Sequence, residues 1–296
     1  MRVAVLRCGR LPSFVTWEIP DVDALFGDDR RLLDAFADRG VEAEPVVWSA
    51  ADVDWESFDA AVLRSTWDYV DHLGEFLGVM ADIAASRCTL LNPVAAVRWN
   101  ADKHYLDDLA RIGVPIVPLV RGTPADAARL LADVDDAGWD RLVLKPAVGV
   151  GGSGVRRTDR RGLADVLGAL APGAEVMVQP FADAIQAEGE LSFAFVDGEP
   201  SHVLRKRPVP GDFRAHGIYG GTVELIEPDA ADLVEVTAMA ARLPFDLLYA
   251  RFDVVRVAGR LAVLELELIE PMLYLDLVPE RAGRLADAAI ARLATG

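Results

Sequence analysis

The sequence predicts a mixed α/β (α+β) fold, with an open parallel sheet at the N-terminus and antiparallel sheets behind it. Three observations carry that expectation. Residues 1–92 alternate short apolar runs with stretches of helical periodicity, the pattern of parallel strands joined by crossover helices. Two strand-like runs over 191–206 are separated by Asp197-Gly198, a strong hairpin signal. Residues 249–271 repeat that plan around Ala258-Gly259. With 52% apolar and 26% charged residues the chain is globular, and 296 residues are too many for one ordinary core, so two or three packed lobes are expected. A formal charge of −17 argues against general affinity for nucleic acid or anionic membranes. Cys8 and Cys88 form neither a C-x-x-C pair nor a metal-ligand spacing, which suits a reducing cytoplasm. The first apolar run is too short for a signal peptide and is interrupted by Arg7 and Arg10; no run approaches the ~18 apolar residues of a membrane helix.

In chain order, 3–6 reads as a buried strand, 23–39 as a helix stopped by Gly40, and 42–48 and 59–63 as further strands. Residues 71–86 place Leu73, Phe76, Leu77, Met80 and Ile83 at the spacing of an amphipathic helix. An open parallel sheet carries function at the carboxyl ends of its strands. Arg64-Ser65-Thr66-Trp67-Asp68-Tyr69 lies just past such an end, and an arginine can hold a carboxylate by two parallel hydrogen bonds. Arg64, Ser65, Thr66 and Trp67 are therefore candidate substrate contacts; a polar loop capping the next helix is the alternative. Asn92-Pro93 breaks the pattern and marks a boundary. A short helix carrying Asn100, Asp102 and Lys103 follows, then a helix to Ile112 stopped by Gly113. Residues 114–180 read as β-α-β-β-α-β, with a helix started by Thr123-Pro124 and a last strand at 175–179. A Gly/Pro-rich loop over 207–221, a helix over 229–242, the second hairpin and a helix over 279–293 complete the chain. The expected lobes are 1–92, 93–180 and 181–296.

Between the strands at 141–145 and 155–157 lies Gly149-Val150-Gly151-Gly152-Ser153-Gly154. Glycines at this density let backbone N–H groups approach an anion. A dinucleotide fingerprint would open a helix, yet Val155-Arg156-Arg157 continues as strand. A Walker loop needs Lys-Ser/Thr after the last glycine, and a protein kinase has its lysine after the loop. What remains is a strand-loop-strand flap preceded by Lys145, or a plain flexible hairpin. Met177-Val178-Gln179-Pro180-Phe181 ends a strand at a proline hinge whose backbone could read an adenine edge, and Glu190 could accept ribose hydroxyls. Lys103, Lys145, Lys206 and Arg214 flank these elements, and a polyphosphate would neutralise them.

The second hairpin carries the acids. Sides alternate along a strand, so Arg251 and Asp253 share one face, and Glu265 and Glu267 share another. A three-residue loop, Ala258-Gly259-Arg260, pairs Val257 with Leu261 and sets Asp253 across from Glu265. A two-residue loop turns Asp253 away from both glutamates. With the longer loop, three carboxylates converge and repel unless a cation joins them. Asp253, Glu265 and Glu267 then read as a Mg²⁺ site, or as a solvated acidic face.

In this order the parts resemble the ATP-grasp superfamily, the fold of glutathione synthetase and D-alanine–D-alanine ligase. The resemblance implies a Rossmann-like N-terminal domain, a central lid subdomain and a C-terminal antiparallel subdomain with the metal site. It implies ATP and Mg²⁺ as cofactors. Lys103 and Lys145 would hold phosphates, Gln179, Pro180 and Phe181 the adenine, and Glu190, favoured by its place against the strand over the alternative Glu188, the ribose. Gly151, Gly152 and Ser153 would form the flap, and Lys206 and Arg214, the latter before Gly220-Gly221, would serve phosphoryl transfer. Glu265-Leu266-Glu267 departs from the family's usual Glu-x-Asn, and His216 stands where related ligases often carry Asn. The implied activity is ADP-forming ligation: a small-molecule carboxylate becomes an acyl phosphate and a nitrogen nucleophile attacks it. Residues 64–69, 99–103 and 267–271 resemble the secondary-metabolite branch, which includes the cyclo-ligase that closes cycloserine from O-ureido-serine. An intermolecular amino-acid or peptide ligase, a small-molecule kinase and a non-catalytic nucleotide binder are the alternatives. A homo-oligomer is compatible with the reading.

Overall fold

The computed structural model describes residues 1–12, 25–209 and 220–294. Its first sheet is parallel and formed by β1 (Arg2–Arg7), β2 (Glu42–Val47), β3 (Ala60–Leu63) and β4 (Thr89–Leu91), in the order β2-β1-β3-β4. Helices α1 (Gly27–Ala37) and α2 (Leu73–Ala85) lie on it. Every residue of β3 is buried, as a strand covered on both faces requires. The apolar stripe of α2 buries Phe76, Met80 and Ile83 against Trp48, Phe58 and Tyr69. The helix expected from 23 begins at Gly27; residues 23 and 24 lie outside the described ones.

Helices α3 (Val94–Asn100) and α4 (Tyr105–Arg111) lead to a four-stranded antiparallel sheet. It holds β5 (Val120–Gly122), β6 (Arg141–Pro146), β7 (Arg156–Asp159) and β8 (Val176–Pro180) in the order β5-β8-β6-β7. Helices α5 (Ala127–Asp136) and α6 (Leu163–Gly168) cover it through Leu130, Val134, Leu163 and Leu167. The β-α-β-β-α-β order is the one expected. Asp102 and Lys103, however, sit in the turn between α3 and α4 rather than on a helix.

After the single turn α7 (Ala184–Ala187) comes the third sheet. Its strands are β9 (Glu190–Val196), β10 (Glu199–Arg207), β11 (Thr222–Ile226), β12 (Tyr249–Val257) and β13 (Arg260–Glu267), and α8 (Ala230–Ala240) precedes β12. The order is β11-β10-β9-β12-β13, all antiparallel. Helix α9 (Pro279–Ala294) ends the chain and packs Leu285, Ala286 and Ala289 beside Val3, Val5, Leu32 and Phe36. Among the described residues no helix is long and apolar enough to cross a membrane.

The sheet ends at β13, whose outer edge would leave backbone groups unpaired in the interior. Side chains fill that role. The Asn100 amide donates to Leu266 O at 2.8 Å and its oxygen accepts from Leu268 N–H at 2.8 Å. The Tyr105 hydroxyl accepts from Leu266 N–H at 3.0 Å, and the Asn92 amide donates to Leu268 O at 2.9 Å. Asn92 also donates to Tyr249 O at 2.8 Å and accepts from Leu248 N–H at 2.7 Å. Nearer the turn, Val117 N–H donates to Val263 O and Val263 N–H to Pro115 O, each at 2.9 Å.

A second lock ties the segment after β13 to the first sheet. The Asp28 carboxylate accepts from the N–H groups of Leu273, Tyr274 and Leu275, and from the Arg64 guanidinium at 3.3 Å. Arg64 also donates to Pro271 O at 2.8 Å. Beside it, Ser65 donates to the buried Asp29, whose carboxyl is pushed up to about 6 by burial against the opposing pull of Arg64.

Replacing Asn100 by Ala strands the buried Leu266 carbonyl on β13 and the buried Leu268 N–H just beyond it, and should cost about 2–4 kcal/mol in urea unfolding. The raised Asp29 value means that the folded state binds this proton more tightly than the unfolded chain. Stability should therefore fall as pH rises from about 4 to about 6, by on the order of 3 kcal/mol from this group. Asp29→Asn should remove that part of the slope in pH-dependent denaturation.

Candidate active site

Lys103, Lys145, Gln179, Pro180, Phe181 and Glu190, predicted from scattered stretches of the chain, line one cleft of about 770 Å³ that opens to solvent. Gly152, Ser153 and Glu265 line it too. The cleft lies where the second sheet faces the third. One wall is the end of β6 with the glycine loop, the other the start of β9 with β13.

The glycine loop joins two antiparallel strands, as expected. Gly151, Gly152 and Gly154 have φ of 60°, 73° and 68°, a region where a Cβ is disfavoured. Lys103 is fixed beneath this loop. Its Nζ donates to Gly149 O at 2.6 Å and pairs with Glu265 at 3.0 Å. Burial opposes the Lys103 charge, but Glu265 outweighs it and its pKa lies above the usual lysine value. Lys145 differs, because burial pulls its pKa down, Glu265 only partly offsetting this and Lys103 adding repulsion. Lys145 thus faces the cleft short of counter-charge.

At the hinge, Met177 and Val178 are buried, and the Gln179 side chain donates to Val117 O at 3.3 Å while its Oε1 is buried without a partner among the described residues. Here the expectation of free backbone groups needs correction. Phe181 N–H already donates to Arg141 O at 2.8 Å, extending the β6–β8 ladder by one rung. The guanidinium groups of Arg141 and Arg157 each lie 5.1 Å from the centre of the Phe181 ring.

Asp253 does stand opposite Glu265, and Arg251 opposite Glu267. The expected route to that register is corrected. The turn is two residues long, with Val257 paired to Arg260, and both Ala258 and Gly259 have positive φ, 49° and 82°. A straight ladder from that turn would have set Leu264 opposite Asp253. A bulge intervenes: Val254 pairs with Val263 and Asp253 with Glu265, leaving Leu264 as the extra residue. Leu264 and Glu265 consequently both line the cleft, although simple alternation puts them on opposite faces.

The acids are not left to repel one another. Arg251 forms a two-pronged pair with Asp253 at 2.9 and 2.8 Å and also reaches Glu267. Lys206, fully buried, bridges Glu190 at 3.1 Å and Asp253 at 3.2 Å, and Ser192 donates to Asp253 at 2.6 Å. Burial opposes ionisation of Asp253, yet Arg251 and Lys206 prevail and hold its carboxyl well below the usual range. Burial, opposed by Arg251, pushes Glu267 up to about 7. Arg251 is thus a site residue that the sequence reading left without a role; its position two residues before Asp253 on the same face was the available signal.

A divalent cation fits this donor set only with a change of partners, since Arg251, Lys206 and Lys103 already neutralise the three acids. The group of three acids or histidines among the described residues whose ligand atoms all lie within 4.8 Å is elsewhere, at Asp102, His104 and Glu175. The donor set suits an anion better: Lys145 has no ion-pair partner among the described residues, and the loop beside it is glycine backbone.

The predicted substrate stretch follows β3. Arg64 is 2% exposed and does not line this cleft; its Nη2 donates to Asp28 and to Pro271 O, while its Nε and Nη1 are buried without a hydrogen-bond partner among the described residues. Ser65 and Thr66 are buried, and Trp67 is half-buried against Phe26, ring centres 5.6 Å apart. Arg214 and His216 lie outside the described residues.

Comparison with known proteins converges on one family. The model of the D-cycloserine synthetase DcsG N-terminal domain matches residues 3–92, and that of the prokaryotic glutathione synthetase ATP-grasp domain matches residues 125–261. The chain is 34% identical over 281 residues to the cycloserine biosynthesis protein DcsG of Streptomyces lavendulae, covering 88% of this chain and 92% of that protein. It is 30% identical over 223 residues to glutathione synthetase of Prochlorococcus marinus (strain MIT 9313), covering 71% and 65%. The crystal structure of D-cycloserine synthetase DcsG superposes with a TM-score of 0.83 at 29% identity, over 99% of this chain and 100% of that one. D-alanine–D-alanine ligase from Bacillus anthracis gives 0.68 at 17% identity, over 100% and 98%, a likeness of fold. With its three sheets, its lysine-flanked glycine loop and a relative matched over almost its full length, the chain belongs to the ATP-grasp ligases, in the family of DcsG.

Proposed function

We propose that this ligase activates the carboxylate of a small amino acid as an acyl phosphate and closes it by attack of the substrate's own nitrogen, which expels inorganic phosphate, with O-ureido-D-serine as substrate and D-cycloserine as product once hydrolysis has removed the carbamoyl group from the ring nitrogen as carbon dioxide and ammonia. The observation that carries the nucleotide side is Lys145, a half-buried cation that lines the cleft with the glycine loop and has no ion-pair partner among the described residues. The cycloserine side is supported by the 34% identity to DcsG over most of both chains.

In this reading Lys103 and Lys145 hold the phosphates, Gln179, Pro180 and Phe181 flank the base, and Glu190 lies toward the ribose. Gly151, Gly152 and Ser153 form the lid that keeps water from the acyl phosphate. Lys206 pairs with Asp253 and Glu190 and helps hold Asp253 ionised, and Arg214 serves the transferred phosphoryl group. Asp253, Glu265 and Glu267 would hold Mg²⁺, which when bound supplies charge neutralisation at the phosphoryl oxygens. Arg251 and Lys103 release part of their pairing to admit it. On the substrate side Trp67 lies toward the ligand, while Arg64, Ser65 and Thr66 shape the segment from behind. Because the nucleophile belongs to the same molecule, proximity replaces a second binding site. The reading divides the chain at 92 and 180 and places it in the cytoplasm.

Incubation with Mg-ATP and O-ureido-D-serine should release ADP and inorganic phosphate in equal amounts, and hydroxylamine should trap a hydroxamate. A stable phosphorylated product without free phosphate would make the protein a kinase instead. Glu265→Gln and Glu267→Gln should each lower Mg-ATP turnover at least about tenfold, some 1.4 kcal/mol of transition-state stabilisation. If neither does, these are not the metal ligands. Lys145→Met should raise the KM for ATP more than it changes the KM for the amino acid.

A further inference from the structure

Glu270 stands just beyond the acids of β13, and nothing in the proposed mechanism uses it. It is 7% exposed, and the one hydrogen bond it receives among the described residues comes from the Tyr69 hydroxyl, 3.3 Å from Oε1. Its other oxygen, Oε2, has no such partner. The remaining acids around the cleft each have a basic side chain within ion-pair distance: Lys206 for Glu190, Arg251 and Lys206 for Asp253, Lys103 for Glu265, and Arg251 for Glu267. Glu270 has none among the described residues. A carboxylate withdrawn from water without a cation is costly, and burial pushes the Glu270 carboxyl up to about 8, so a cationic donor brought beside its open oxygen would restore the charge and be held by it.

Position says which donor. Tyr69 belongs to the stretch after β3, on the small-molecule side, whereas Glu267, Glu265 and Lys103 lie on the nucleotide side. Glu270 is within electrostatic reach of those three and bonded to Tyr69, so it stands where the two sides meet. Tyr69 is itself fixed, packed on Phe76 with ring centres 4.9 Å apart, which holds its hydroxyl on the carboxylate. An acceptor so placed, with one oxygen oriented by a phenol and the other open, suits a single cationic N–H donor. An amino acid brings one close to the carboxylate that is to be activated.

We propose that Glu270, oriented by Tyr69, receives the α-ammonium group of the amino-acid substrate and so selects amino acids over carboxylates that lack the nitrogen. This rests on the ligase reading above and adds a specificity-determining residue to it. The bond is charge-assisted, of the kind that separates a substrate from its analogue by more than a neutral hydrogen bond does.

The test compares O-ureido-D-serine with its des-amino analogue, 3-(ureidooxy)propanoate, in the wild-type enzyme, Glu270→Gln and Tyr69→Phe. The wild type should prefer the amino-bearing compound. Glu270→Gln should lose roughly 30- to 100-fold in kcat/KM on it, chiefly through KM, and about threefold or less on the analogue. Tyr69→Phe should shift the same preference in the same direction by a smaller factor, which keeps the idea testable if Glu270→Gln folds poorly. The KM for ATP and the Mg²⁺ dependence should stay as in the wild type. Equal losses on both compounds would make Glu270 merely structural, and a raised Mg²⁺ requirement would make it a metal ligand; either overturns the proposal. If the wild type turns over neither compound, the ligase reading fails first and the assignment of Glu270 falls with it.

Discussion

The outer edge of β13 is the constraint on which the site depends. That strand carries Glu265 and Glu267, is last in its sheet, and would expose unpaired backbone if nothing lay beside it. Asn92, Asn100, Tyr105 and the 115–117 stretch stand in for a neighbouring strand and fix its register from outside, while β12 fixes it from inside. Side-chain amides suit this role because each offers a donor and an acceptor at backbone-like geometry. They also make the helices after the first sheet indispensable to a strand encoded more than 150 residues later.

Within that frame the charges interlock. Asp253 is held by Arg251, Lys206 and Ser192, so the most buried acid of the set is also the best satisfied. Removing one partner from such an arrangement is costly because it leaves the other charge buried alone. The pairs therefore preserve the shape of the site while no ligand is present. Among the described residues Lys145 and Glu270 are left out of the exchange, Lys145 lining the cleft and Glu270 held by Tyr69 alone. In the proposed reading the first meets the phosphates of the nucleotide and the second the ammonium of the amino acid.

Much of this was legible in the sequence. The alternation in 1–92, the two hairpins and the β-α-β-β-α-β unit follow from local periodicity and turn residues, and the helix caps at Gly40 and Gly113 from chirality. β4 and β11 were not, since the three residues of Thr89–Leu91 are too few to show a period and Thr222–Ile226 is half exposed at a sheet edge. The acid register was reached for the wrong reason: a longer turn was expected where a two-residue turn is followed by a bulge at Leu264. Both add one residue between the partners, and spacing arithmetic does not separate them. Arg64 illustrates the other kind of limit. Its residue type and its place past a strand end point to a ligand, but its partners, Asp28 and Pro271, lie 36 and 207 residues away and belong to tertiary structure alone. Phe181 N–H was likewise spent on a contact that only the sheet reveals.

Helix α9 packs against α1 and the interior face of the first sheet. On the ribosome this means that the first sheet waits for a helix made long after it. Val3, Val5, Leu32 and Phe36 share their core with Leu285, Ala286 and Ala289, so part of that apolar face stays uncovered until α9 has emerged. The usual order, in which a leading domain closes as it emerges, is unavailable to this sheet. Chaperone demand during translation should persist until α9 has left the exit tunnel.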